Sequence, residues 1–192
     1  MKKYYKKVFY LFSTLAIAFT HIMKAEATCP SDIIKPFVGQ WQGKAFFVSA
    51  DGSTQQPLGT KDEFAIVDCK SFKVTINYLD SAGKTVRTLN LKATSDKSKQ
   101  VGLFAVSGNI TEASVVNTMN GSISSIQDGT LLGSFSGSAG GQPAYLNELM
   151  NVFKLPTGEI HLVRTVQMFS GKRGGPYIGS RVVNEVRIQP SL

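Results

Sequence analysis

Few residues in this 192-residue chain carry reactive chemistry, and their spacing narrows what that chemistry is. Cys29 and Cys69 are its two cysteines. With no C-x-x-C pair, their expected use is a structural disulfide in an oxidising compartment, not a redox or metal site. Such a bridge closes a loop of about 40 residues, for which loop-closure entropy gives roughly 4 kcal/mol. Any Ser-His-Asp site has to be built on His161, because His21 falls within an N-terminal leader. Gly133-Ser134-Phe135-Ser136-Gly137 formally fits a nucleophile elbow, but it lies in an alternating run and lacks the strand-to-helix turn the elbow needs. Asp62 and Glu63 are neighbours on a strand and point to opposite faces, so they make a poor acid and base pair. The reading is non-catalytic, with no metal site.

Arg164 is the residue whose placement demands an explanation. One face of Ile160 to Phe169 carries Ile160, Leu162, Arg164, Val166 and Met168, and the other His161, Val163, Thr165, Gln167 and Phe169. Arg164 therefore lies on the more apolar face, and an unpaired buried charge costs several kcal/mol. Two kinds of partner fit. One is the carboxylate or phosphate head of an amphipathic ligand. The other, commoner in folded proteins, is internal pairing with Trp41, Glu63, Glu148 or Glu185. His161 belongs to the polar face and to solvent.

The elements that hold these residues are strands. Hydrophobic residues make up 42% of the chain and charged ones 18%, which excludes disorder, and 18 glycines punctuate it. Phe72, Val74, Ile76 and Tyr78 alternate with Lys73, Thr75 and Asn77, the signature of a strand with one buried face. Asp80 to Lys84 then turns the chain into Thr85 to Ala93, completing a hairpin. Similar patterns predict strands at Trp41 to Ser49, Lys61 to Val67, Val101 to Ser107, Ser114 to Asn120, Ser122 to Gln127, Thr130 to Ser138, Tyr145 to Leu155, Ile160 to Phe169 and Tyr177 to Ile188. Helix is confined to short turns at Ser31 to Phe37 and Pro143 to Asn147. The expected fold is all-β: an antiparallel up-and-down β-barrel of about eight to ten strands with a short N-terminal helical turn, since closure removes exposed edges.

Pro36-Phe37-Val38-Gly39-Gln40-Trp41-Gln42-Gly43 follows that turn and opens the first strand. The segment resembles the G-x-W signature of lipocalins and other calycin-type barrels, and its further glycine is similar to the nitrobindin-like barrels. The resemblance implies a 3-10 turn plugging one end, Trp41 packed across the base under an arginine, and a calyx for a small apolar molecule. Arg164, Arg181 and Arg187 are the arginines available. Nitrobindin-like barrels hold haem through a histidine near the C-terminus; none follows His161, so no cofactor is expected.

Met1 to Lys7 carries four lysines, Val8 to Phe19 is uncharged, and Ala25-Glu26-Ala27 supplies an A-x-A cleavage site. Residues 1–27 read as a secretory signal, leaving 28–192 as a single domain that is secreted or periplasmic. The apolar run is shorter than the roughly 20 residues of a membrane-spanning helix. Removal of the leader reduces the formal charge from +8 to 16 basic against 12 acidic residues. That mild surplus calls for no nucleic acid, and Lys84, Arg87, Lys92, Lys97 and Lys99, without interleaved aromatics, read as a solvated surface. A small hydrophobic or amphipathic ligand, neutral or anionic, is the expected partner. It would lie among Trp41, Phe47, Phe72, Ile76, Tyr78, Leu162, Arg164 and Met168. The alternative is an exported interaction or envelope protein with a filled barrel, meeting its partner through loops such as Gly137 to Gln142 or Gly171 to Pro176.

Overall fold

The computed structural model describes residues 29–95, 102–113, 115–139 and 142–188. The proposed leader, the lysines at 97 and 99 and the C-terminal four residues lie outside them. A 3-10 helix, Pro30–Phe37, precedes ten strands: β1 (Gly39–Ser49), β2 (Leu58–Asp68), β3 (Ser71–Leu79), β4 (Thr85–Ser95), β5 (Leu103–Glu112), β6 (Val115–Gln127), β7 (Thr130–Ala139), β8 (Gln142–Lys154), β9 (Ile160–Ser170) and β10 (Tyr177–Ile188). Each pairs antiparallel with its sequence neighbour, and β1 pairs with β10 from Gln40 opposite Ile188 to Ser49 opposite Gly179, which closes the barrel. Closure satisfies the ladder groups that an open sheet would leave at its edges.

Period-two patterning sets the inner wall. Phe72, Val74, Ile76 and Tyr78 of β3 are buried in alternation, as are Leu89, Leu91 and Ala93 of β4. The 3-10 helix closes one end, where Ile34 and Phe37 pack beneath Trp41 and Phe64, and the Phe37 and Phe64 rings lie 5.8 Å apart. Phe72 and Phe104 meet at 5.1 Å in the same region. The Cys29–Cys69 disulfide is formed and ties the start of the helix to the β2–β3 turn. There the Ser31 amide donates to Cys69 O at 3.2 Å and its hydroxyl to Asp68 O at 2.9 Å.

Several expected boundaries are corrected. Ser114 to Asn120 and Ser122 to Gln127 belong to one strand, β6, and β5 continues past Ser107 to Glu112. Both expected breaks fall at glycines that face inward instead. A Cβ on Gly121 would stand 2.1 Å from Ser134 O, and one on Gly108 2.2 Å from Asn90 O, so these glycines permit close approach of neighbouring strands. Pro143 to Asn147 is strand, within β8, and not a helical turn; Gly137 to Gln142 is mostly ladder, with Ser138 paired to Pro143.

Candidate functional site

At the closed end the Trp41 indole donates from Nε1 to Phe37 O at 2.7 Å. The Arg187 guanidinium lies 4.6 Å from the Trp41 ring and also donates to Pro36 O. Burial depresses the pKa of Arg187. Of the three arginines available to cover the tryptophan, Arg187 takes that position. It joins the last strand, the first strand and the plug.

Above this apolar layer lies a charged one. Arg164 on β9 is sealed from solvent and meets Asp62 of β2 (Nη2 to Oδ2, 2.6 Å), Glu148 of β8 (Nη1 to Oε1, 3.3 Å) and Glu185 of β10 (Nε to Oε2, 3.6 Å). Burial pushes the Asp62 carboxyl well above the usual carboxylate range, against the pull of Arg164 and helped by Glu185 and Glu148. Arg164 stays charged: burial opposes its charge, but Asp62 and Glu185 outweigh that penalty and raise its pKa. Glu148 and Glu185 were among the expected internal partners, whereas Glu63 faces solvent and Asp62 was not anticipated. Tyr78 Oη and Thr60 Oγ1 are buried beside this layer with no hydrogen-bond partner among the described residues. Burial raises the Tyr78 pKa.

The open end holds a cavity of about 40 Å³. Leu89, Ile110, Leu146 and Met168 form its apolar wall, and Arg87, Glu112 and Arg181 its polar rim. Arg87 is committed to Glu112 at 2.6 Å. Arg181 has no carboxylate within ion-pair distance among the described residues; its guanidinium rests 4.7 Å from the Tyr78 ring, which Arg87 approaches at 5.8 Å. Tyr78 thus lies buried between two cations that reach the cavity rim.

The residues expected to surround a ligand all turn inward, but at different depths. Met168 lines the cavity, Tyr78 lies under its arginines, and Phe47 turns towards Gly179 near the rim. Ile76 and Arg164 belong to the middle, while Trp41, Phe72 and Leu162 are packed in the core. Arg87 and Arg181 were missed as cavity residues, although Arg87 shares the parity of Leu89 and Leu91, a signal present in the sequence. His161 is on the outer face, stacked on Phe153 at 5.8 Å with Nδ1 3.5 Å from Asn184 Oδ1. Ser134 and Ser136 sit in β7, and the Ser134 hydroxyl donates to Asn147 Oδ1 at 3.1 Å. No helix among the described residues is long and apolar enough to cross a membrane.

No protein-family model matches the chain, and no curated protein does. Solved structures do. Rv2717c from M. tuberculosis superposes with a TM-score of 0.60 at 15% identity, covering 83% of this chain and 98% of that one. The S-type phycobiliprotein lyase CPES from Guillardia theta superposes with a TM-score of 0.53 at 12% identity, covering 86% and 96%. Ten antiparallel strands closed on themselves, plugged by a 3-10 helix beneath a tryptophan and its arginine, give this chain the lipocalin-like, calycin-type β-barrel fold.

Proposed function

We propose that this is an exported, non-catalytic barrel that holds one end of a small amphipathic anion at its open mouth. The observation that supports the reading is Arg181: a guanidinium on the rim of an apolar cavity, stacked on Tyr78 and without a carboxylate partner among the described residues. A carboxylate or phosphate head there would gain a charge-assisted, fork-shaped contact, while Leu89, Ile110, Leu146 and Met168 take the adjoining apolar segment. A cavity of about 40 Å³ has room for only a few waters, so a longer chain enters by rotation of Met168, the most adaptable side chain of the wall. The disulfide is compatible with an extracellular or periplasmic setting.

The test is displacement of a fluorescent fatty acid by dodecanoate and by dodecanol. Wild type should bind both, and Arg181→Gln should lose about tenfold or more for dodecanoate with little change for dodecanol. Binding of neither by wild type overturns the reading. It would favour a filled barrel that acts through its surface, the interpretation to which the small size of the cavity lends weight.

A further inference from the structure

The charged layer lies within electrostatic reach of the mouth. Glu148, Val166 and Arg181 stand on one register row across β8, β9 and β10, so the backbones of Glu148 and Arg181 are two strand spacings, about 10 Å, apart. Tyr78 of β3, sealed from solvent, fills the space between: the Arg181 guanidinium rests 4.7 Å from its ring, and Arg181, Arg164, Asp62 and Glu148 all act on its phenol. The groups that face Asp62 are Arg164 of β9, Glu148 of β8, Glu185 of β10 and Tyr78 of β3. On β1 its neighbours Trp41 and Gly43 do not titrate, Lys61 and Glu63 beside it on β2 point outward, and Asp32 and Lys35 of the 3-10 helix pair with each other at the surface. The layer therefore carries two excess negative charges when Asp62 is ionised and one when it holds a proton.

We propose that an anion seated on Arg181 and a proton held in the Arg164 layer favour each other, so that the barrel grips its ligand in acid solution and loosens it as pH rises. This rests on the reading of Arg181 as the ligand's anchor. The link is the field of the buried carboxylates, which side chains packed between layer and mouth screen far less than bulk water and salt would. Over about 10–15 Å, at an effective dielectric constant of about 20, one unit of charge changes an anion's affinity roughly five- to fifteenfold. Linkage makes the effect reciprocal: the bound anion strengthens the layer's hold on its proton by the same factor, and binding at intermediate pH takes up a fraction of a proton. Burial raises the pKa of Asp62, whereas hydrogen bonds lower those of the exposed Asp51 and Asp68, so the layer titrates apart from the surface carboxylates. Tyr78 stays neutral beneath both cations, because burial raises its pKa as well.

Titration calorimetry with decanesulfonate, whose head stays ionised throughout, tests this between about pH 4 and about pH 9 in pairs of buffers of different ionisation enthalpy. Wild type should lose roughly five- to fifteenfold in affinity across that range and take up part of a proton on binding at its middle. Decanol, which has no charge, should bind with neither effect. Asp62→Asn should abolish both the slope and the uptake, and Glu185→Gln, which removes a neighbour that helps Asp62 keep its proton, should move the fall to lower pH. Glu112→Gln at the rim and His161→Gln on the outer face should keep the slope. Decanesulfonate that binds through Arg181 with constant affinity and no proton uptake would overturn the coupling alone, as would a slope that survives Asp62→Asn. Binding that Arg181→Gln leaves unchanged, or no binding by wild type, would overturn the anchor and the coupling together.

Discussion

Arg164 Nη2 sits 2.6 Å from Asp62 Oδ2, with both side chains closed off from solvent, and Glu148 and Glu185 reach the same guanidinium from two further strands. Three carboxylates around one arginine leave an excess of two negative charges, and a proton held on Asp62 halves it. Asp62 is the group whose burial favours holding it.

The pH dependence of stability follows from that proton. The folded-state pKa of Asp62 lies above its unfolded value of 3.8, so the folded protein binds the proton more tightly than the unfolded chain. This contribution is complete below the unfolded value and is lost as pH rises through the folded one. Exposed Asp51 and Asp68, whose pKa values are lowered by hydrogen bonds to Ser53 and Lys70, act oppositely and only in more acid solution. Thermal midpoints should therefore decline as pH rises above 3.8 towards the folded-state value, and Asp62→Asn should flatten that slope. A wild-type midpoint that climbs over the same interval would contradict the assignment.

Removing the arginine exposes the opposite imbalance. Arg164→Met should cost about 3–5 kcal/mol in urea denaturation, because three buried carboxylates lose their counter-charge. A loss below about 1 kcal/mol, the range of exposed pairs, would show that the cluster is open to water in solution.

The Cys29–Cys69 bridge holds the plug as well as the chain. Replacing both cysteines with serine should cost about 4 kcal/mol and free the helix that carries Phe37, the acceptor for Trp41 Nε1. Equal denaturation midpoints with and without a reductant would argue that β2 and the helix are held by packing alone.

Gly121→Ala tests the close approach of β6 and β7. The added methyl would stand 2.1 Å from Ser134 O, and overpacking of that kind costs about 1–3 kcal/mol. Unchanged stability would mean that the strands can part at that point without penalty.

Much of this architecture was legible in local patterns. Phe72 to Leu79 announced its buried face, Gly39 and Trp41 announced the plugged end, and the parity of β9 turned Arg164 inward. Cross-barrel relations were not legible, because alternation says which way a residue points and not what it meets. Asp62 faces Arg164 only once closure brings β2 to within three strands of β9, and Arg181 joins Arg87, the cross-strand neighbour of Tyr78, only in the closed cylinder. Gly108 and Gly121 misled for a related reason. A glycine that ends a strand and one that admits a neighbouring backbone look alike in one dimension.

The location of ligand binding is settled most directly by mapping amide shift changes in isotopically labelled protein during titration with dodecanoate. The expected response is concentrated at Arg87, Ile110, Leu146, Met168 and Arg181 around the mouth. Saturable changes centred instead on Trp41, Phe72 and Leu162 at the closed end and in the core, or no changes at all, would contradict a ligand seated on Arg181.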